Sequence, residues 1–564
     1  MGNGISKGTL ASYEISVKTG DQIGDGTDAN VYIILHGNGT KTNEQSLDKC
    51  FKNDFKRGNI DRYFVNSEVN ILEVQRIELW RDNCGLLTNC NEMDKKENHR
   101  YFFNNIDTYL PQNDPFKEMR ISDLQTIQKE YQLQVKIPGL PAQVRKLPED
   151  EKFSINENFR LHYEVVLNRV KRDCVEMLEG NEWEEFDDIK KGYTAFGHPR
   201  GSQYFNDDAS FGRQRLNGLN PSLLTLCTRI PENFGVTEDM IILFLEGKTM
   251  KQAMDSKRLF IIDLAILEDC PTQSKDLVMA CPFALFYFND GNCLMPIAIQ
   301  LFQQNGPSNP VFLPSDPEYT WMLAKMWYSL ADSTYHQAIT HLNFTHLIME
   351  GISVAVKRQL AHSHPILKLL NPHFMYLMAI NSLALGTLIN SGGIIDKTSN
   401  AGIIGHFHLM KKSTEWWRLD LHGTLPEDLK SRGVLDPSIL TGVYHMRDDA
   451  LLLYDAIKTY VEKYVLFYYS TESSLTADYE LQNWGAELVK SREEGGVGIL
   501  GVPNNGKFVT TDQLTLTLTA IIYTCSVGHA SVNFQQYDEY GSPFNYPYAL
   551  SGDPPKDKAS TRSC

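Results

Sequence analysis

Between Tyr335 and His373 the chain reads YHQAITHLNFTHLIMEGISVAVKRQLAHSHPILKLLNPH, with His336, His341 and His346 spaced five residues apart and His364 and His373 beyond them. On an α-helix five residues make about 1.4 turns, so neighbouring imidazoles leave the axis about 140° apart. They converge on one point only from a distorted or π-bulged helix, and such bulges gather at functional sites. Ile339, Leu342, Phe344, Leu347 and Ile348 lie between them, which marks the helix as buried on most sides. Buried imidazoles need partners, because an unpaired polar group in an apolar interior costs free energy. Two readings satisfy that need. One is a core helix whose histidines bond to carbonyls and carboxylates; the other is a metal site, since imidazole is the commonest side-chain metal ligand.

A second segment, His529-Ala-Ser-Val-Asn533, sets an imidazole and an amide four residues apart, on one face of a helix. A third imidazole and an amide oxygen are thus available to join the first pair. Nitrogen and oxygen ligands without thiolates suit iron, manganese or zinc.

The runs HQAITHLNFTHL, AHSHPILKLLNPH and HASVNFQQYD resemble those of animal lipoxygenases. So do Leu294–Gln300, Trp321–Lys325, Arg215–Pro221 and Met446–Leu451, which spread the resemblance over almost the whole chain. The resemblance implies a non-haem iron dioxygenase that inserts O₂ into the cis,cis-pentadiene of polyunsaturated fatty acids of the arachidonate or linoleate type. It implies iron ligands His341, His346 and His529 with Asn533 as a weaker fourth, and it leaves His336 outside that set. Gln337 and Gln536 match two amides expected to link the ligand helices to the substrate cavity. Leu342, Leu347, Ile380 and Leu388 match positions that line the cavity; leucines on any buried helix would also read as plain core. Ala384 matches the position where the family carries Ala for S products and Gly for R products, so an S hydroperoxide is expected.

The N-terminal part reads differently. Residues from about 9 to 110 alternate apolar and polar positions in short runs such as Val31–Leu35 and Val69–Val74, with Gly- and Asp-rich turns between them. That pattern predicts a β-sandwich. Thr19-Gly-Asp21, Gly26-Thr-Asp28 and Phe51–Phe55 resemble the PLAT domain, the C2-like sandwich of the same family. The resemblance implies calcium at Asn53 and Asp54 and reversible contact with a membrane surface. Lys56, however, stands where an acidic ligand is usual, and a cation there would repel the ion. A polar connector with Pro111, Pro115, Pro138, Pro141 and Pro148 follows, and helical periodicity dominates from about 150 onward. The expected architecture is multidomain: a PLAT/C2-like β-sandwich over residues 1–114, then a large, mostly α-helical lipoxygenase domain over 115–564.

Composition excludes several other classes. A net charge of −16 argues against a nucleic-acid partner. Ten cysteines without a CxxC pair fit a reducing compartment, and the expected location is cytoplasmic with peripheral membrane association. The longest apolar stretch, Phe374 to Ile395, is interrupted by Asn381, Ser382, Asn390 and Ser391, so it reads as a buried core helix rather than a membrane span. Met1-Gly2-Asn3-Gly4-Ile5-Ser6 fits the pattern for myristoylation at Gly2, and one acyl chain would anchor only marginally. The chain contains no GxSxG elbow, P-loop or HExxH. A zinc hydrolase built on the same histidines would lack an evident glutamate base.

One departure from the resemblance concerns the C-terminus. Family members continue past the segment matching Ser551–Pro555 to a terminal isoleucine whose carboxylate ligates iron, whereas this chain ends at Ser563-Cys564. The expectation is a site without that anionic ligand, which would favour ferrous iron and weaken its retention. The competing reading is therefore a catalytically inactive lipoxygenase-like protein that binds lipid or membranes.

Overall fold

A computed structural model describes residues 11–19, 30–37, 40–47, 55–56, 59–71, 74, 76–81, 100–104, 108–154, 157–158, 160–165, 167–168, 171, 188–190, 193 and 197–559. Gly2, Asn53 and Asp54 lie outside the described residues. The chain forms two compact units, one of Met1–Leu110 with Glu149–Arg169 and His362–Pro365, the other of Pro111–Pro148, Val170–Ala361 and Ile366–Cys564.

Among the described residues, the N-terminal part of the first unit forms seven strands. Strand β1 (Ala11–Lys18) pairs antiparallel with β5 (Ile60–Ser67), while β2 (Val31–Gly37) pairs with β3 (Thr40–Lys41), β4 (Gln45–Ser46) and β6 (Arg76–Arg81). β7 (Arg100–Asn104) extends that sheet beyond β6. Period-2 alternation is plain in β5, where Asp61, Tyr63 and Val65 are buried and Ile60, Arg62 and Phe64 exposed. Tyr63 and Val65 pack with Val31, Ile33, Leu35, Leu47, Phe55 and Ile71 into one core. This is the β-rich N-terminal unit that the alternation predicts.

The second unit is mainly helical. Short strands β8 (Leu133–Gln134) and β9 (Gln143–Val144) pair near its start. A four-stranded antiparallel sheet follows, in the order β10 (Thr225–Leu226), β11 (Leu259–Asp263), β12 (Phe283–Phe288) and β13 (Leu294–Gln300). Every residue of β12, FALFYF, is buried, which is why its sequence runs apolar instead of alternating. The helix Asp208–Asn217, capped by Asp207 accepting from Ser210 N, lies against β13. Gly212 makes that approach feasible: a Cβ there would sit 1.7 Å from the Leu294 carbonyl oxygen. Backbone cannot yield as a flexible side chain does, so Gly212→Ala is expected to cost about 3 kcal/mol, read as a lowered urea midpoint.

Two long helical runs dominate this unit. The helix Glu318–Tyr335 passes directly into a π-helix, His336–Leu347, and then into the helix Ile348–Gln359. The helix Thr511–Tyr523, opened by a Thr510–Gln513 capping box, passes through a second π segment, Thr524–Gly528, into His529–Asn533. The run Thr511–Tyr540 is long and apolar enough to cross a membrane, but over half of its apolar window is buried within the protein, as expected of a core helix. The stretch read as a buried helix, Phe374 to Ile395, needs correcting. Its helix covers Leu377–Thr387, and only Met378, Ala379 and Asn381 are buried in it, with Leu383 exposed. One face packs, and the deepest polar residue on that face is the asparagine that had looked like an interruption.

Candidate metal centre

The π-winding resolves the five-residue spacing. In an i→i+5 helix the residue five positions on closes the hydrogen-bonded turn and stacks over its predecessor, so His336, His341 and His346 fall along one side. The ring centroids follow: His336–His341 are 5.6 Å apart and nearly parallel, and His341–His346 are 4.9 Å apart. His529 completes the group from the other run, with centroids 5.5 Å from His341 and 4.8 Å from His346. One ring nitrogen each from His341, His346 and His529 lies within 4.8 Å of the others.

His336 stays out of this cluster because both its nitrogens are engaged. Nε2 meets the Val532 carbonyl at 2.7 Å and Nδ1 the Tyr540 hydroxyl at 2.6 Å. The carbonyl can only accept, so Nε2 carries the proton and Nδ1 accepts from the phenol. Burial holds its pKa down to about 4.

The other three are left with lone pairs to share. Burial, reinforced by the neighbouring imidazoles, pushes His341 well below the ordinary value, and burial with the adjacent His529 imidazole brings His346 down to about 4. Burial lowers His529 as well. All three rings are therefore neutral near pH 7 and able to ligate. His346 Nε2 and His529 Nε2 stand 3.0 Å apart. At that separation a proton or a cation must join them, since otherwise lone pair faces lone pair. His341 Nε2 is buried and has no hydrogen-bond partner at all. A buried orphan nitrogen beside two converging ones is a donor set that fits a divalent cation of the iron, manganese or zinc type.

The surrounding amides tie the two runs together. Gln337 Nε2 donates to Gln536 Oε1 at 2.7 Å, Gln536 Nε2 donates to Asn533 Oδ1 at 2.8 Å, and Gln337 Oε1 lies 3.5 Å from His341 Nδ1. The Asn533 oxygen is thus engaged by Gln536. Of the positions read as cavity-lining, Leu342, Leu347 and Ala384 belong to one apolar cluster with Leu140, Ile389 and Met410. Ile380 is half-buried, and Leu388 is 39% exposed.

Two residues around His346 escaped the sequence reading. Asn381 Oδ1 lies 2.9 Å from His346 Nδ1, and Asn381 Nδ2 donates to Glu350 Oε2 at 2.8 Å. Glu350 is 1% exposed, and burial raises its pKa against the three donors around it. The available signals were an acid four residues after a histidine on an apolar helix, and an asparagine inside an apolar run.

Comparison with known proteins agrees with this geometry. The Lipoxygenase family model matches residues 84–562 and the PLAT/LH2 domain model residues 13–114. The allene oxide synthase-lipoxygenase protein of Plexaura homomalla is 33% identical over 99% of this chain. The polyunsaturated fatty acid lipoxygenase ALOX15B of Rattus norvegicus is 37% identical over 67% of it. The chain spans 57% and 56% of the lengths of those two relatives. A lipoxygenase crystallised anaerobically with arachidonate superposes with a TM-score of 0.88 at 31% identity, covering 98% of this chain and 87% of that one. A coral 8R-lipoxygenase, described as calcium-activated through a C2-like domain, gives 0.86 at 32% identity over 97% and 86%. An N-terminal PLAT unit, a helical second unit and three histidines converging from two π-containing helices have one common explanation: the chain belongs to the lipoxygenase family.

Proposed function

We propose that this protein is a non-haem iron dioxygenase that converts polyunsaturated fatty acids to hydroperoxides. The observation that carries the reading is the convergence of His341, His346 and His529, with the His341 Nε2 orphaned and buried. These three imidazoles would hold the iron, with Asn533 as a weaker fourth ligand once its oxygen is released by Gln536. Iron held there supplies the one-electron acceptor that hydrogen removal from the pentadiene methylene requires. The chain itself contributes an apolar wall from Leu342, Leu347 and Ala384, against which a hydrocarbon tail packs and water is kept away. The methyl of Ala384 shields one end of the pentadiene from O₂, which favours the S hydroperoxide.

Family membership, and an arachidonate-bound relative of the same fold, support fatty acid as the substrate class. In the N-terminal unit we place reversible contact with a membrane surface from the cytoplasm, assisted by calcium at Asn53 and Asp54 and by a myristoyl group on Gly2. The calcium-activated coral relative supports the first of these aids; the second rests on the terminal sequence pattern.

The test is metal analysis of the purified protein together with conjugated-diene absorbance on arachidonate. About one iron per chain with diene formation, and an S product on chiral chromatography, is the expected result. Folded, iron-free protein that forms no diene but still binds lipid would replace the enzyme with an inactive lipid-binding protein.

A further inference from the structure

Resting on the metal reading of the three histidines, we propose that Glu350 and Asn381 form a positioning pair that fixes which nitrogen of His346 faces the metal. Three groups donate to the buried Glu350 carboxyl: Val144 N to Oε1 at 3.0 Å, Gln143 Nε2 to Oε2 at 3.2 Å and Asn381 Nδ2 to Oε2 at 2.8 Å. Asn381 Nδ2 also donates to the His346 carbonyl oxygen at 3.2 Å. Both amide hydrogens of Asn381 are thereby spent, and its orientation is settled. Turned the other way, its oxygen would face the His346 carbonyl and the Glu350 carboxyl, acceptor against acceptor.

With the amide so held, only Oδ1 remains to meet His346 Nδ1 at 2.9 Å. That oxygen accepts, so Nδ1 must carry the imidazole proton and Nε2 must carry the lone pair. Nε2 is the nitrogen that lies 3.0 Å from His529 Nε2, inside the cluster. A metal-binding imidazole whose second nitrogen is fixed by a carbonyl or carboxyl partner is oriented and made more basic by it. Here the partner is an amide whose own direction is set by a carboxyl.

The relay reaches further than the helix. Val144 belongs to β9, and its backbone N–H is the one donor to Glu350 that cannot rotate away. The paired strands β8 and β9 therefore anchor the carboxyl, the carboxyl anchors the amide, and the amide aims the ring.

Glu350→Gln keeps the shape but places an NH₂ against either the Val144 N–H or the two side-chain amide donors. Asn381→Leu keeps approximate volume and removes the relay. Metal-free full-length protein is titrated with Fe²⁺ under anaerobic conditions, and thermal unfolding of each variant is followed in parallel. Each single variant is expected to bind Fe²⁺ 10- to 100-fold more weakly. The double variant should be no weaker than Asn381→Leu alone, since both changes act through one bond. A folded variant that binds Fe²⁺ within twofold of the parent, or losses that multiply in the double variant, would overturn the pairing. If Glu350→Gln does not fold, Asn381→Leu decides the matter by the same affinity. A parent that takes up no Fe²⁺ overturns the metal reading, and the pairing with it.

Discussion

Replacing His529 with alanine is expected to lower Fe²⁺ affinity at least 100-fold and to abolish diene formation. One of three converging imidazoles is lost, and the two that remain come from a single helix. The fold should be little affected, because the His529 ring is only half-buried and its one ring hydrogen bond is with His346 Nε2. The two effects separate in a thermal melt. Metal at 1,000 times its dissociation constant stabilises a folded protein by about 4 kcal/mol, so the parent should melt higher when Fe²⁺ is added. His529→Ala should melt near the metal-free parent and show no such shift. A variant that retained the shift would mean that the metal sits elsewhere.

Asp332→Ala is expected to destabilise the second unit by about 3–5 kcal/mol, a large part of a typical net stability of about 5–15 kcal/mol. Asp332 and Arg215 are each 1% exposed and directly paired. Asp332 Oδ1 also accepts from Asn220 Nδ2 at 2.7 Å, and Oδ2 from the Tyr546 hydroxyl. The Arg215 guanidinium lies over the rings of Phe211, Tyr328 and Tyr546. Removing the carboxylate strands that cation in a dry interior, where the rings cannot replace a full charge. Asp332 is one helical turn before His336, so the π-helix should loosen as well. Urea unfolding measures the cost, and the Fe²⁺ titration reads the disturbance at the site. Replacing both partners with apolar residues of similar size should be much milder than Asp332→Ala alone, because no buried charge is then left unpaired.

Much of the architecture was legible in local pattern. The run Val31–Leu35, which predicts a strand, lies in β2, and the helical periodicity from about 150 onward is met by helices such as His445–Tyr468, whereas Val69–Val74, read as a strand in the same way, begins after β5 has ended at Ser67. The five-residue histidine spacing called for a bulged helix, and a twelve-residue π-helix is present. Other features were invisible for physical reasons. Phe374 to Ile395 looked like core because hydropathy counts residues without knowing which face packs, and Asn381 looked like a break in it. Leu388 matched a cavity position but is more exposed than Leu342 and Leu347. The Glu350 carboxyl carried no local mark of its role, since two of its three donors, at Gln143 and Val144, lie more than 200 residues earlier.

The sequence by itself determined that two apolar helices would bring imidazoles, three on one and one on the other, into an interior with too few local partners for them. Only the tertiary structure decided which rings those partners would leave free. Val532 and Tyr540 occupy both nitrogens of His336, while Asn381 takes only the Nδ1 of His346 and leaves its Nε2 facing His529. The periodicity of a helix places a ring on a face. Its tautomer and its aim are set by hydrogen-bonding groups that meet it only after distant segments have packed together.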